Sequence, residues 1–251
     1  MNNTVSLCAF RAFRALCTLR AFGTLSALLT LASLAQAQQP NTLSPEEKAA
    51  GFKLLFDGTS ASDWRGYRQK TLPAGWTVTD GTLGLGAGSG EPSSGDIVTK
   101  EEFGNFELRL QWRIAKDGNS GIMYRVSEEY EAPYESGPEM QVLDDAGHAD
   151  GKSRLTAAGS CFGLYPAAAG IVKPAGEWND VRIIVNGAHV EHWMNGVEVV
   201  HYELWSPEWR ARVLASKFKQ WPGYGMSKKG HIALQDHGNA VSYRNIRIKK
   251  L

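Results

Sequence analysis

The segment NFELRLQWRIA, residues 105–115, decides the fold class. Apolar and polar side chains alternate along it, with Phe106 to Ile114 supplying the apolar set and Glu107 to Arg113 the polar set. Because successive side chains of a β-strand point to opposite faces, this alternation is typical of a strand with one buried face. The segment therefore predicts a half-buried antiparallel strand that packs on a core.

Short segments of similar character recur on both sides of it. We predict further strands at 52–56, 76–79, 82–85, 96–99, 121–126, 139–143, 161–164, 181–185, 189–194, 197–202, 232–235 and 243–249. Asn195-Gly196 is typical of a two-residue hairpin turn, since both residues tolerate positive φ. The one later helix that we predict is 207–217, behind Ser206. Many short strands with one or two short helices predict an all-β protein, either a β-sandwich or a jelly roll.

The first 37 residues read as a separate segment. They contain three arginines and no acidic residue, then an apolar stretch at 21–34, then Ala35-Gln36-Ala37. This pattern predicts a signal peptide cleaved after Ala37, and hence a periplasmic or secreted protein. The apolar stretch is too short for a membrane span of about 20 residues. We expect a lead-in with a short helix at 38–50 and a single domain at 51–251.

Removing this leader changes the charge balance. The chain has 27 basic and 26 acidic residues, and the leader carries three of the basic ones, so the formal charge falls from +1 to −2. No basic run is long enough to neutralise a phosphate backbone, so we expect no nucleic-acid partner. Cys161 is the one cysteine outside the leader. It cannot form an internal disulfide, and we interpret it as a small core residue.

Two segments carry polar groups on one face of a predicted strand. In PEMQVLDD, residues 138–145, Glu139 and Gln141 alternate with apolar residues, and in GHIALQDHG, residues 230–238, Gln235 and His237 do so. Strand geometry aims each polar set at one surface. A carboxylate, carboxamides and imidazoles on neighbouring strands suit a site that binds a sugar or moves a proton on one.

Seven motifs in one order resemble the 3-keto-disaccharide hydrolase family, also described as the 3-keto-glucoside 1,2-lyase and 3-keto-2-hydroxy-glucal hydratase domain. They are LFDG (55–58) with Asp63-Trp64, FGNFEL (103–108), NSGI (119–122), EMQVLD (139–144), GEWN (176–179), WMNG (193–196), and LQDHG (234–238) with RNI (244–246). The resemblance spans about 51–251. It implies a concanavalin A-like sandwich, which agrees with the strand pattern.

The resemblance also implies a substrate, a sugar that a separate glycoside 3-dehydrogenase has oxidised at its 3-hydroxyl. The ketone acidifies the hydrogen on carbon 2. A base can then remove that proton, and the glycosidic oxygen leaves carbon 1 by elimination. Addition of water completes a net hydrolysis. Such a reaction needs a base, a group that stabilises the oxyanion, and an acid for the leaving oxygen. No cofactor is implied.

We assign these roles by residue type and strand facing. Glu139 is the candidate base, and His237 is either the rival base or the leaving-group acid. Asp144 either orients one of these or acts as a second acid. The candidate substrate-binding residues are Arg125 for the oxyanion, Gln141 and Gln235 for sugar hydroxyls, Tyr165 and Trp193 as a stacking wall, and Asn119 from the NSGI motif.

Other interpretations stay open. An ordinary glycoside hydrolase on a glucanase-like sandwich needs two carboxylates, for which Glu139 and Asp144 are the obvious pair. A non-catalytic carbohydrate-binding module would use the same face. Arg125 and Glu139 are equally consistent with a cross-strand ion pair. Asp144, Asp145 and Asp150 resemble a cation-binding turn, although a solvated acidic turn is the default. The aromatic segment at 206–229 is either a lid or a subunit contact.

Overall fold

The structure is a computed structural model that describes residues 39–86 and 94–251. Its strands are β1 (Lys53–Leu54), β2 (Trp64–Gly66), β3 (Trp76–Thr79), β4 (Thr82–Leu85), β5 (Ile97–Thr99), β6 (Phe106–Ile114), β7 (Asn119–Val126), β8 (Glu139–Leu143), β9 (Asn179–Asn186), β10 (His189–Met194), β11 (Val197–Glu203), β12 (His231–Leu234) and β13 (Val241–Lys250). Two α-helices are described, α1 (Pro45–Ala49) and α2 (Pro207–Ala215). Short 3₁₀ turns lie at Pro133–Glu135, Ala149–Lys152 and Lys217–Gln220.

These strands form two antiparallel sheets. The larger sheet has the order β11-β10-β9-β6-β13-β4-β3, with β1 paired to β13, and the smaller has the order β2-β5-β12-β7-β8. Their inner faces bury a common core that includes Phe106, Leu108 and Trp112 from the larger sheet and Ile122 and Met140 from the smaller. The predicted concanavalin A-like β-sandwich is confirmed.

The alternation that predicted the fold is visible in the burial of β6. Its apolar side chains lie in the core, whereas Arg109, Gln111 and Arg113 are half-buried or exposed on the outer face. The smaller sheet differs, because every residue of β7 and of β8 is buried. The core covers the inner face of this sheet, and loops therefore cover its outer face. Polar side chains on that outer face lie in a sheltered space rather than in open solvent.

Local turn chemistry follows the sequence at two points. Asn195 and Gly196 have φ values of 51° and 83°, as the predicted hairpin between β10 and β11 requires. Helix α1 begins after Ser44, whose side chain accepts a hydrogen bond from the Glu47 backbone, while the Ser44 backbone N–H donates one to the Glu47 carboxylate. This capping box satisfies backbone donors that the first helical turn leaves free.

Two local predictions were wrong, and one strand was missed. Residues 161–164 form no strand, because Gly163 turns with φ of 70° and Cys161 pairs with Tyr165 across the turn. Helix α2 ends at Ala215, and Lys217 begins a separate 3₁₀ turn. Strand β2 was not predicted, because its three residues are too few to show an alternation.

The predicted signal peptide at 1–37 lies outside the described residues. It stays a prediction, which N-terminal sequencing of the exported protein would check. Within 39–86 and 94–251, neither helix combines the length and apolar character needed to cross a bilayer.

Candidate active site

A cavity of about 650 Å³ lies on the outer face of the smaller sheet. We call it the site cavity. Its walls come from β7, β8, the chain after β12 and the covering loops. The lining residues are Tyr67, Gln69, Gly95, Asp96, Asn119, Glu131, Ala132, Pro133, Tyr134, Glu139, Gln141, Asp150, Phe162, Lys217, Gln235, Asp236 and His237.

Five of the nine predicted site residues line this cavity: Asn119, Glu139, Gln141, Gln235 and His237. Strand pairing brings them together. Gly121 of β7 pairs with Gln141 of β8 and accepts a backbone hydrogen bond from Gln235 at 3.0 Å. Residues from three chain segments thus share one face, as the alternation in β8 and β12 predicted. Their roles stay predictions.

Glu139 is the most unusual of these side chains electrostatically. It is 6% exposed, and no described residue donates a hydrogen bond to its carboxylate. Burial raises its pKa to about 8, against an opposing effect of the Lys217 charge and with help from Asp96 and Asp150. A carboxylate buried without partners costs folding free energy. Such a group, poised near neutral pH in a cavity, is a candidate general base.

Gly121 provides the space that the Glu139 carboxyl group occupies. A Cβ atom at position 121 would lie 2.7 Å from the Glu139 carboxyl carbon, and nearer still to Oε1. Any side chain there would push the carboxylate from its place. The glycine in the NSGI motif therefore has a positional role that its sequence context did not reveal.

We expect Gly121→Ala to lower kcat by about 100-fold, because displacing a catalytic group by about 1 Å has effects of that size. The overpacking should cost about 1–3 kcal/mol of stability, measurable by thermal unfolding. Gly86→Ala is the control, because its Cβ would meet nothing within 4 Å. Full activity of Gly121→Ala would show that the position of Glu139 is not critical.

Two carboxamide oxygens in the site cavity are buried and have no hydrogen-bond partner in the part of the chain that the structure describes. They are Asn119 Oδ1 and Gln141 Oε1. Gln141 is held in place by its Nε2 group, which donates to Thr156 O at 3.2 Å. Buried polar atoms normally find partners. Both residues line the site cavity, and the hydroxyl groups of a bound sugar are donors of the kind that these two oxygens lack.

Asp236, the residue before His237, connects this part of the chain to Asp96. The Asp236 carboxylate accepts hydrogen bonds from the backbone of Ser94, Gly95 and Gly238 at 2.8–3.0 Å. The Asp236 backbone in turn donates to Asp96 Oδ1 at 2.8 Å. This arrangement ties the chain before β5 to the chain after β12. The ring of His237 also lies edge-on to His148, with ring centres 6.2 Å apart.

Asp96 is a second carboxylate in the site cavity, and it is a residue that the sequence did not suggest. Burial raises its pKa to about 7, with a smaller contribution from the charge of Asp236. Asp96 directly precedes strand β5, and no local motif marks it. The hydrogen bond from the backbone of Asp236, a residue far away in the chain, holds the Asp96 carboxylate in place.

Lys217 is the one cation that lines the site cavity among the described residues. Its Nζ atom lies 4.6 Å from the ring centre of Phe162 and 5.3 Å from that of Phe218. Phe218 stacks on Tyr224 at 4.1 Å, which continues a row of rings through Trp209 and Tyr202. The 206–229 segment thus packs on the core and brings a positive charge to the cavity. The sequence did not identify this residue.

Arg125 does not face the site cavity. The pairing of β7 with β12 shifts register between Met123 and Val126, and Arg125 has φ of 53°. This bulge turns its side chain toward the larger sheet, where it donates to Gly104 O at 3.0 Å and Gly187 O at 2.9 Å. The prediction that Arg125 binds the oxyanion requires its side chain on the cavity face of β7, and the bulge places it on the other face. It also forms no ion pair with Glu139 in the described residues.

Asp144 likewise lies away from the cavity lining. Its carboxylate accepts hydrogen bonds from the backbone of Asp117 at 2.9 Å and Ala146 at 3.3 Å, which closes the turn after β8. Asp145 accepts from Ala158 N at 2.7 Å, and Asp150 lines the cavity. No described group of three or more His, Cys, Asp or Glu residues is arranged to hold a metal ion.

Tyr165 and Trp193, the predicted stacking wall, do not line the site cavity. Tyr165 stacks inside the protein on Tyr202, with ring centres 4.8 Å apart. Trp193 follows the predicted alternation of β10, but its face is the outer face of the larger sheet, where Arg182 covers the ring at 5.1 Å. The aromatic residues that do line the site cavity are Tyr67, Tyr134 and Phe162.

Comparison with known proteins shows which family this chain is similar to. A sequence profile described as the 3-keto-alpha-glucoside-1,2-lyase-like domain matches residues 51–249. A curated Bacteroides thetaiotaomicron protein named 3-keto-disaccharide hydrolase is 37% identical over 243 residues, which cover 86% of this chain and 84% of that protein.

Solved structures agree with the fold. A structure described as a putative glycosyl hydrolase from Parabacteroides distasonis is 34% identical with a TM-score of 0.78, over 85% of this chain and 100% of that one. A Bacillus subtilis protein described as having a galectin-like fold has a TM-score of 0.52 at 13% identity, over 76% and 92% of the two chains, which shows the fold alone. The predicted family is confirmed, and the chain belongs to the 3-keto-alpha-glucoside-1,2-lyase-like domain family.

Proposed function

We propose that this protein is an enzyme that cleaves the glycosidic bond of 3-keto-glycosides, including 3-keto-disaccharides, by removing the proton from carbon 2. Family membership and the name of the curated relative support the substrate class. The observation that carries the mechanism is Glu139, a buried carboxyl group without a described partner and with a pKa of about 8. It lies in a cavity that is also lined by Asn119 and Gln141, whose carboxamide oxygens have no described partner.

In this proposal Glu139 takes the carbon-2 proton. The electron pair of that C–H bond moves toward the 3-keto group and forms an enolate, and collapse of the enolate expels the oxygen on carbon 1. A base works best when its pKa lies near the working pH, which the buried setting of Glu139 provides. Water then adds across the new double bond, so that the net reaction is a hydrolysis.

The other groups of the site cavity divide the remaining tasks. Lys217 supplies the positive charge that stabilises the enolate oxygen, the task first given to Arg125. Asn119 and Gln141 accept hydrogen bonds from sugar hydroxyls, and Gln235 holds the same ring. His237 protonates the leaving oxygen, and Asp96 replaces Asp144 as the second acid of the site.

Ordinary glycoside hydrolysis is the weaker candidate. A retaining enzyme of that kind needs one carboxyl group protonated as the acid and the other ionised as the nucleophile. The family profile and the curated relative are both named for 3-keto substrates, which favours the elimination over ordinary glycoside hydrolysis. A pure binding module has no need to bury an unpartnered carboxylate, whose cost in stability indicates a catalytic task.

The experiment is to incubate the protein in D₂O with a 3-keto-glucoside and, separately, with the unoxidised glucoside. We expect release of the leaving group and incorporation of deuterium at carbon 2 only with the keto substrate. Release from the unoxidised glucoside would instead establish ordinary glycosidase chemistry. Binding of both compounds without any reaction would establish a carbohydrate-binding protein.

A further inference from the structure

A second cavity, of about 640 Å³, adjoins the site cavity. It is lined by Arg65, Arg68, Gln69, Lys70, Lys100 and Glu128, and we call it the cationic cleft. Gln69 lines both spaces. A ligand that extends out of the site cavity past Gln69 therefore enters a region bounded by four basic side chains.

The one acidic residue of the cleft is already neutralised. Arg65 binds the Glu128 carboxylate with both terminal nitrogens, at 2.6 and 2.9 Å, and the Arg68 backbone donates to it at 2.6 Å. The hydrogen bond from Arg65 lowers the pKa of Glu128, so this carboxylate stays ionised and paired. Glu128 thus organises the cleft without cancelling its other charges.

The remaining cations have no ion-pair partner among the residues that the structure describes. These are Arg68, Lys70 and Lys100. Four lysines elsewhere in the described chain do have an ion-pair partner: Lys53 and Lys250 pair with Glu101, Lys229 with Glu102, and Lys249 with Glu107. What distinguishes the cleft is that three cations without an ion-pair partner line the same depression. They attract an anion more strongly than the nearly balanced net charge of the chain would.

The loop that carries two of these cations is fixed relative to the site cavity. The Gly66 backbone donates to Thr71 O at 2.9 Å, and the Tyr67 hydroxyl lies 2.9 and 2.8 Å from the carbonyl oxygens of Ser127 and Tyr130. Tyr67 lines the site cavity, whereas the next residue, Arg68, lines the cleft. The two surfaces are thus two sides of one anchored turn.

We propose that the cationic cleft binds an anionic substituent, a carboxylate or a phosphate, on the leaving group of the substrate. This inference rests on the proposed function, in which the reacting sugar occupies the site cavity beside Glu139. The group attached to its carbon 1 then extends past Gln69, and Arg68, Lys70 and Lys100 bind the anion. The preferred substrates are 3-keto-glucosides of acidic sugars or of other acidic alcohols.

The first test is equilibrium binding of leaving-group analogues, which does not depend on catalysis. Calorimetry with glucose, glucuronate and glucose 6-phosphate should show one or both anions binding about tenfold tighter than glucose at low salt, with the advantage lost at about 0.5 M NaCl. The two anions separate a carboxylate site from a phosphate site. Equal binding of all three would overturn the proposal, whether or not the enzyme acts on keto-sugars.

The second test uses a double variant, Arg68→Gln with Lys70→Gln, and compares kcat/KM for 3-keto-glucosides with anionic and neutral leaving groups. The ratio of the two values should fall about tenfold toward one in the variant. The matched control, Lys48→Gln with Lys116→Gln, removes two exposed charges that line neither cavity. An equal fall in the control would show a general charge effect and overturn the proposal.

Discussion

Glu139→Gln is expected to lower kcat on a 3-keto-glucoside by about 10²- to 10⁴-fold, the range that loss of a general base produces. The amide has nearly the same shape and fits the space above Gly121, so substrate binding should persist. The measurement is a comparison of kcat with the dissociation constant of the unoxidised sugar. Loss of binding together with activity would instead give Glu139 a structural role.

The same substitution has a consequence for stability that depends on pH. The pKa of Glu139 is about 8 in the folded protein against an ordinary value of 4.5. Between these values the folded state holds a proton that the unfolded state has lost, so stability falls as pH rises from about 4.5 through 8. Each pKa unit corresponds to about 1.4 kcal/mol, so the loss amounts to several kcal/mol.

We therefore expect Glu139→Gln to raise the melting temperature relative to wild type near pH 9 and to change it little near pH 4. The kcat/KM of the wild type should rise with pH up to about 8, because only the ionised carboxylate accepts a proton. Glu129→Gln, an exposed carboxylate outside the site cavity, is the control and should alter neither curve. A stability gain at acidic pH instead would contradict the raised pKa.

Strand alternation predicted the part of the site that lies within regular strands. Glu139 and Gln141 in β8, and Gln235 just after β12, face the site cavity because the period of two is preserved there. The same reasoning gave the wrong face for Arg125, because one extra residue in β7 reverses the direction of the next side chain. A bulge of this kind leaves no clear signal in the sequence. Trp193 fails for another reason, because alternation separates inner from outer faces but does not say which sheet a strand joins.

The site residues that the sequence did not identify, Asp96 and Lys217, are positioned by contacts between distant segments. Asp96 has a raised pKa because it is buried in the site cavity, and its Oδ1 accepts a hydrogen bond from the backbone of Asp236, 140 residues away in the chain. Lys217 reaches the cavity because an aromatic row seats the 206–229 segment on the core. Neither contact follows from composition or local spacing. Both require the packed fold, which is why residue type alone assigned their tasks to Arg125 and Asp144.

Lys217→Met is expected to lower kcat by about 10²- to 10³-fold, the effect of removing one group that stabilises a developing oxyanion. Methionine keeps an apolar stem that can rest against Phe162 and Phe218, so the substitution removes the charge with little loss of packing. Lys219→Met is the matched control. It removes an equal charge from the same 3₁₀ turn, but Lys219 lines an outer groove rather than the site cavity.

A second measurement separates a role in the reaction from a role in structure. The Lys217 charge lowers the pKa of Glu139 against the effect of burial. Its removal should therefore move the rising part of the kcat/KM profile to higher pH, and Lys217→Arg should restore both rate and profile in part. A rate loss in Lys217→Met without any shift of the profile would show that the Lys217 charge does not act on the pKa of Glu139. A shift in both Lys217→Met and Lys219→Met would mean that the turn's overall charge, not a cation at the enolate oxygen, sets the pKa of the base.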